Sequence, residues 1–344
     1  MLLLYSEYLE RGKYQMKHTK LLAILLTVTM LLTLCVGCKK TETPVEEAPQ
    51  ETAPEAPAEE PAEIQEPEVS AAVTVVDMKG REITLEKPAE RIVALTASDC
   101  EILYAIGAGD TLVGRGTYCD YPAEVLDVPV VESGASTNVE EIIALQPDVL
   151  LMSDMAQSEE QIQQLEAAGI RVVVSEATDI AGVYTAIELI GALMGKDENA
   201  AAVIDSMKTT FADLQAKSTG DGTQTVYFEV SPLQYGLWTA GTNTFMDEIA
   251  TMLGLTNCFA DVDGWGEISE EQVLERNPDF IVTITMYFGE GPTPEEEILA
   301  RAGWENVTAV KNNAILNLQN NELSRPVPRL ADGAQMLFDF VYGE

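Results

Sequence analysis

The sequence predicts an α/β protein of two similar lobes joined by one long rigid helix, with a ligand cleft between the lobes. Three observations carry this. From Val73 onward, short apolar runs rich in β-branched residues alternate with helical patterns, as in sheets built from parallel α/β units. The segment Val139-Glu140-Glu141-Ile142-Ile143-Ala144-Leu145-Gln146-Pro147-Asp148-Val149 lines up with Glu270-Glu271-Gln272-Val273-Leu274-Glu275-Arg276-Asn277-Pro278-Asp279-Phe280, offset by 131 positions. Between these repeats, residues 180–218 contain no proline and hold the helical pattern that would join the halves.

The elements follow in order. Residues 73–77, the turn Met78-Lys79-Gly80-Arg81 and residues 82–85 read as an opening hairpin, and 91–95 as a buried strand. Thr96-Ala97-Ser98-Asp99 caps a helix from about Cys100 to Ile106, closed by Gly107. Strands are expected at 149–152 and 172–174, with a helix at 159–168 between them. The same kinds of element return at 225–230, 280–284 and 314–318. A looser repeat relates Glu101-Ile102 to Gly107 with Glu248-Ile249 to Gly254. Gly195-Lys196-Asp197 breaks the long central stretch. The helix after it carries Ala201, Ile204, Met207, Phe211 and Leu214 near the 3.6-residue period and would span about 30 Å. The domains are therefore expected at 71–195 (first lobe), 196–218 (interlobe helix) and 219–344 (second lobe).

The N-terminus has a different character. Lys17 and Lys20 precede an apolar run of seventeen residues, 21–37, whose last four, Leu34-Cys35-Val36-Gly37, lead into Cys38, which reads as a secretory signal over residues 1–37. Met16 is the better start, because residues 1–15 include Glu7 and Glu10 and contribute nothing to export. The segment resembles a bacterial lipoprotein signal, and the resemblance implies that Cys38 receives lipid and becomes the first mature residue. From 38 to 70 the chain holds six prolines and ten glutamates, too little apolar surface to fold, and is expected to be an extended spacer.

Charge and composition exclude whole classes. With 57 acidic against 20 basic residues the chain is at −37, a surface that repels nucleic acid. Without the leader and spacer, 14 basic and 45 acidic residues remain, a net −31. The single histidine, His18, falls in the leader, so Ser-His-Asp and Cys-His chemistry and His-rich metal sites are excluded from the mature chain. Cys100, Cys119 and Cys258 show no CxxC or zinc-ligand spacing and are expected to be buried or partly buried thiols.

From about residue 73 to the C-terminus the chain resembles the substrate-binding proteins of bacterial ABC importers whose lobes are joined by a rigid backbone helix, the receptors for cobalamin, haem and iron-siderophores. The carrying segments are Arg91-Ile92-Val93-Ala94-Leu95, Gly116-Thr117-Tyr118-Cys119-Asp120-Tyr121-Pro122, residues 140–151 and 268–274, and Arg325-Pro326-Val327-Pro328-Arg329. The Tyr-x-Asp-Tyr-Pro element and the Asn138-Val139-Glu140 and Ser269-Glu270-Glu271 helices look most like the cobalamin-binding members. The resemblance implies two Rossmann-like lobes, no catalysis, no resident cofactor, and a monomer tethered by lipid outside the cell membrane. It also implies an ABC permease partner, with its ATPase behind it. Glu140 and Glu271, related by the repeat, match the glutamates that dock into permease arginines.

Loops after the strands are expected to line the cleft with Ser98, Tyr118, Gly134 and Met155 from the first lobe and Trp238, Trp265, Tyr287 and Arg325 from the second. Gly134 stands about where a cobalamin binder resembling this chain carries tryptophan. A corrinoid, bulky and nearly neutral, suits an aromatic cleft in an acidic domain; an iron-siderophore or haem is the alternative, helped if Arg115, Arg325 and Arg329 form a basic patch. A surface scaffold or adhesion lipoprotein without a small ligand is the reading from another class. Asp261, Asp263 and Glu267 are the residues on which an acid/base pair or calcium loop would rest.

Overall fold

The computed structural model describes residues 72–133, 137–153 and 158–343. The expected signal segment, the lipidated Cys38 and the spacer to residue 70 lie outside the described residues, as do Gly134 and Met155 of the expected cleft. From residue 72 the described chain belongs to one unit.

The opening hairpin forms as expected, with β1 (Val73–Val76) antiparallel to β2 (Glu82–Leu85). The first lobe is a parallel sheet of β3 (Ile92–Ala94), β4 (Leu112–Gly116), β5 (Val130–Val131), β6 (Val149–Met152) and β7 (Arg171–Val174), in spatial order β5-β4-β3-β6-β7. Helices α1 (Ala97–Ala105), α2 (Val139–Ala144), α3 (Glu159–Ala167) and α4 (Ile180–Leu193) connect and cover it. The order runs one way from β3 to β4 and the other way to β6, so a crevice opens at the C-terminal ends of β3 and β6.

Gly195, at φ 60, ends α4, and after a short turn α5 (Asp197–Lys217) begins. Its 21 residues correspond to about 32 Å. One face is buried through Ala200, Ile204, Met207, Phe211 and Leu214. Ala200 takes the core position expected of Ala201, which is exposed, because an (i, i+4) step from Ala200 reaches Ile204 on the buried face.

The second lobe is built on β8 (Thr225–Ser231), β9 (Trp238–Ala240), β10 (Thr256–Asn257), β11 (Trp265–Glu267), β12 (Phe280–Thr283) and β13 (Ile315–Asn317). β8, β12 and β13 are parallel, as in the first lobe. β9 and β11 extend the sheet as an antiparallel ribbon that the sequence did not reveal, since Gly236, Gly241, Gly264 and Gly266 punctuate it like loop. Its helices are α6 (Phe245–Met252), α7 (Glu270–Arg276), α8 (Pro294–Leu299), α9 (Thr308–Lys311) and α10 (Leu330–Tyr342).

The internal repeat is a structural equivalence down to single hydrogen bonds. Asn138 caps α2 by accepting from Glu141 N, and Ser269 caps α7 by accepting from Gln272 N. Ile142 and Val273 are the fully buried residues of these helices. Gln146 and Asn277 both turn the chain at positive φ, 50° and 47°. The following aspartates then tie the neighbouring strand: Asp148 Oδ2 accepts from Arg91 N at 2.9 Å, and Asp279 Oδ2 from Thr225 N at 2.8 Å. Each thereby satisfies the otherwise orphaned start of the central strand of its sheet.

One core runs through both lobes. Ile102, Ile106 and Ile187 on the first lobe, Ile204, Met207 and Phe211 on α5, and Phe228, Phe245 and Phe338 on the second lobe belong to a single apolar cluster. α5 packs against α4 on one side and α10 on the other. The outer faces of the two sheets have separate clusters, around Val93 and Leu150 and around Phe259 and Trp304.

Asp148→Ala and Asp279→Ala are expected to destabilise the protein by similar amounts, about 1–3 kcal/mol each, because each removes the carboxylate that accepts from the backbone N–H at the start of a central strand. Urea unfolding of the two variants checks this, and a large effect from one with none from the other would contradict the equivalence.

Candidate functional site

Each lobe presents its functional loops at the C-terminal ends of its strands. On the second lobe a cavity of about 680 Å³ opens there after β8 and β12. Tyr235, Met286, Tyr287 and Phe288 line it, with Glu229 and Glu297 among its polar residues. Phe288 is 83% and Tyr235 70% exposed, large rings that the described residues leave uncovered. Beneath them, Arg301 bonds Glu229 in bidentate fashion at 2.6 and 2.9 Å and also bonds Glu297, while its guanidinium lies 4.6 Å from the Trp304 ring centroid. Burial pushes the Glu229 carboxyl up, and the bonds from Arg301 pull against it. Tyr287 is held by its hydroxyl, which donates to the Gly291 carbonyl at 3.2 Å.

The β9–β11 ribbon supplies a second apolar surface. Trp238 pairs with Glu267 and Ala240 with Trp265, so the two tryptophans share one face at diagonal positions, within reach of large side chains. Both are partly exposed, and Trp265 is steadied by Phe245 at 5.7 Å between ring centroids.

On the first lobe a smaller cavity of about 250 Å³ is lined by Thr96, Ser98, Ser153 and Ser175, closed by Pro326 from the second lobe. Asp99 lies buried beside it. Thr96 donates to its Oδ2, Ser175 also bonds it, and Oδ1 has no partner among the described residues. Burial pushes this carboxyl up to about 6, with the hydroxyl bonds opposing.

The lobes are clamped by an ion-pair network. Glu101, buried on α1, accepts from Arg325 Nη1 at 3.0 Å, from Arg329 Nε at 2.7 Å and from Arg329 Nη2 at 2.8 Å. Arg325 also bonds Asp120 at 2.5 Å and the Tyr118 carbonyl at 3.2 Å, and Arg329 stacks on Tyr121 at 3.9 Å. A second tie joins the lobes where Glu248 on α6 accepts from Ile180 N at the start of α4, at 2.7 Å. Glu101 and Glu248, matched in the looser repeat, thus both reach across to the other lobe.

Ser98 lines the small cavity and Tyr287 the large one, and Trp238 and Trp265 come together on one face. Tyr118 is 72% exposed at the clamp. Arg325 is engaged by Glu101 and Asp120, and Arg115 is buried with its guanidinium on the carbonyls of Val128 and Cys119. With Arg329 on Glu101, the three arginines expected as a possible basic patch are each committed within the fold. Glu140 and Glu271 sit exposed in the first turns of α2 and α7, and hydrogen bonding holds the Glu271 carboxyl below the usual range. Glu270 is instead tied to Trp304 Nε1 at 2.9 Å. Asp261 pairs with Arg276, and Asp263 accepts from Asn243 at 2.8 Å. Cys100 and Cys119 are buried free thiols, both facing the Ala94 carbonyl, and Cys258 is a partly buried one.

Sequence reasoning missed Tyr235, Met286, Phe288, Glu101 and Asp99. The first three cluster with prolines and glycines, a signal of displayed apolar groups. Glu101, an acid amid Cys100, Ile102 and Leu103, signalled a buried partner that only a distant segment could supply.

Glu101→Gln is expected to cost about 3 kcal/mol, because it leaves two guanidiniums short of a buried counter-charge; thermal melting reads it, and an unchanged midpoint would show the clamp contributes nothing. Asp99 predicts a pH effect. The folded carboxyl keeps its proton to about pH 6, the unfolded one to about 4, so its contribution is full below pH 4 and lost as pH rises to 6, roughly 2–3 kcal/mol in all. Asp99→Asn should therefore flatten this part of the stability profile, and a wild-type slope retained in the variant would refute it.

A model of the periplasmic binding protein family matches residues 92–322. An uncharacterized ABC transporter substrate-binding lipoprotein of Bacillus subtilis, YvrC, is 35% identical over 276 residues, covering 78% of this chain and 85% of that protein. The vitamin B12-binding protein of Salmonella typhimurium is 28% identical over 253 residues, covering 72% of this chain and 89% of its own length. A solved structure from Staphylococcus epidermidis, described as a possible iron-binding periplasmic solute-binding protein, superposes with a TM-score of 0.62 at 31% identity, over 74% of this chain and all of that one.

Proposed function

The chain belongs to the periplasmic binding protein family, and from that premise we propose that it is the extracytoplasmic receptor of an ABC importer, tethered by lipid on Cys38, that captures a corrinoid and delivers it to a permease. The observation that carries the ligand class is the aromatic surface: Tyr235, Tyr287 and Phe288 around a cavity of about 680 Å³, with Trp238 and Trp265 on one ribbon face. Flat rings of this kind cover a broad, nearly neutral macrocycle by apolar burial without needing a charge partner. An iron chelate is the second reading, favoured by the likeness to the Staphylococcus epidermidis protein.

The mechanism is capture and docking, with no bond made or broken in the ligand. α5 limits how far the lobes swing, and the Glu101 clamp holds their facing loops in register. The side chains of Ser98, Tyr118, Trp238, Trp265 and Tyr287 meet the ligand. Arg325 shapes the cleft mouth through its hold on Asp120 and the Tyr118 carbonyl. Glu140 and Glu271, one on each lobe, engage permease arginines and fix the orientation in which the ligand is released.

Titration of the full chain with cyanocobalamin, cobinamide, haem and a panel of siderophores, read by tryptophan fluorescence and by thermal shift, tests the ligand class. A saturable response to a corrinoid that weakens by about 1–3 kcal/mol in Trp238→Ala or Trp265→Ala is expected. Response to a siderophore alone would replace the corrinoid by an iron chelate, and silence toward every chelate would overturn the ligand class.

A further inference from the structure

The small first-lobe cavity is walled by hydroxyl groups, and a buried carboxylate fixes which way two of them face. Thr96, Ser98, Ser153 and Ser175 line it, with Glu176 beside them and Pro326 closing it from the second lobe. Its volume of about 250 Å³ admits a side group of a large ligand and not a macrocycle. Asp99 is wholly buried and bonded to two of the lining residues. The Thr96 hydroxyl donates to Asp99 Oδ2 and accepts from Asp99 N at 3.2 Å, and the Ser175 hydroxyl also bonds the carboxylate. A carboxylate only accepts, so both hydroxyl protons turn to it and the two oxygens have lone pairs, not protons, to offer the cavity. Asp99 Oδ1 has no partner among the described residues, so the charge depends on those two hydroxyls for its side-chain hydrogen bonds. Ser98 and Ser153 are hydroxyl rotors that can serve either polarity and do not decide it.

Resting on the capture role proposed above, we infer that this cavity takes an uncharged hydrogen-bond donor at the ligand's edge, a carboxamide or hydroxyl, and rejects a carboxylate, and that Asp99 is the positioning residue that sets this choice. A carboxamide N–H meets the two acceptor oxygens, whereas a carboxylate would meet their lone pairs and the charge of Asp99. The first turn of α1 would by itself favour an anion, and Asp99, which lies in that turn, opposes it. The surrounding titratable groups do not reverse the sign. On α1 the Cys100 thiol is pushed up by its bond to Cys119 and by burial, and Glu101 is taken by Arg325 and Arg329. After β7 stands the acid Glu176, and Arg325, next to Pro326, is engaged by Glu101 and Asp120. Burial pushes the Asp99 carboxyl up to about 6, so it is ionised at neutral pH and takes up a proton just below it. Once protonated it can donate, the hydroxyls are released to turn toward the cavity, and the rejection of a carboxylate weakens.

The test titrates the full chain with cyanocobalamin and with its monocarboxylic acids, in which one peripheral carboxamide is hydrolysed. Tryptophan fluorescence reads binding between about pH 5.5 and 8, a range in which the acids' own carboxylate stays ionised. Haem and its diamide make the same comparison on a second macrocycle. Near pH 8 at least one acid is expected to bind on the order of tenfold more weakly than cyanocobalamin, with the gap narrowing toward pH 5.5. Asp99→Asn, checked for folding by thermal melting, should close or reverse the gap at every pH, because the asparagine amide donates to the hydroxyl oxygens and turns their protons toward the cavity. The wild-type comparison stands by itself if that variant does not fold. Amide and acid bound alike at pH 8 would overturn the subsite, and a gap unchanged in folded Asp99→Asn would overturn the role of Asp99. Binding of the haem pair without any corrinoid would overturn the corrinoid reading while the preference between haem and its diamide still judges the subsite. Silence toward every probe would overturn both.

Discussion

Burial of one face of α5 between two lobes is the constraint on which the rest of the structure depends. Ile204, Met207, Phe211 and Leu214 sit in an apolar cluster that reaches α4 and α1 on one side and α10 and α6 on the other. Separating the lobes would expose that cluster to water, and the free energy of apolar burial opposes it. The facing loops therefore keep a defined spacing that a loosely hinged pair of domains would not supply.

Polar interactions refine what the core establishes. Glu101 takes two arginines from the other lobe, and Glu248 caps the first backbone donor of α4 from the opposite direction. Both are acids placed where an apolar contact alone would leave the approach of the lobes free to slide. The same network consumes Arg325 and Arg329, so aromatic and hydroxyl groups, rather than these cations, are what the strand ends display. Glu229, Arg301 and Glu297 repeat the device inside the second lobe, fixing the base from which Tyr287 and Phe288 project.

The repeated helices divide one sequence pattern between residues that hold the helix and residues that face outward. Their buried residue, their cap and their Pro-Asp turn are structural, since each has a partner within its own sheet. Glu140 and Glu271 are exposed, Glu271 with a bond to its own cap Ser269, whereas Glu270 beside it is taken up by the buried Trp304. Equivalent positions on two lobes are thus divided by chemistry into those that hold the helix and those left facing outward.

The alternation of strands and helices, the two lobes, the backbone helix and the equivalence at an offset of 131 were all legible in the sequence, because periodic burial and Pro-Asp turn chemistry are local and leave local marks. The first helix starts three residues earlier than expected, at Ala97, because Thr96 is its cap, whereas the helix capped by Ser158 starts at Glu159 as expected. The β9–β11 ribbon was not legible, since glycines that allow close backbone approach read as loop until the partner strand is known. Nor were the engagement of Arg325 and Arg329 by Glu101, the buried Asp99, or the grouping of Tyr235 with Tyr287 and Phe288. Those pairings join residues from about fifty to more than two hundred positions apart, or depend on which face of a loop is covered, and the burial that sets them exists only once the chain has closed on itself. The sequence by itself determined the lobes and the kind of surface they display; the tertiary structure alone decided which charges face each other across the cleft and which aromatic groups remain free to meet a ligand.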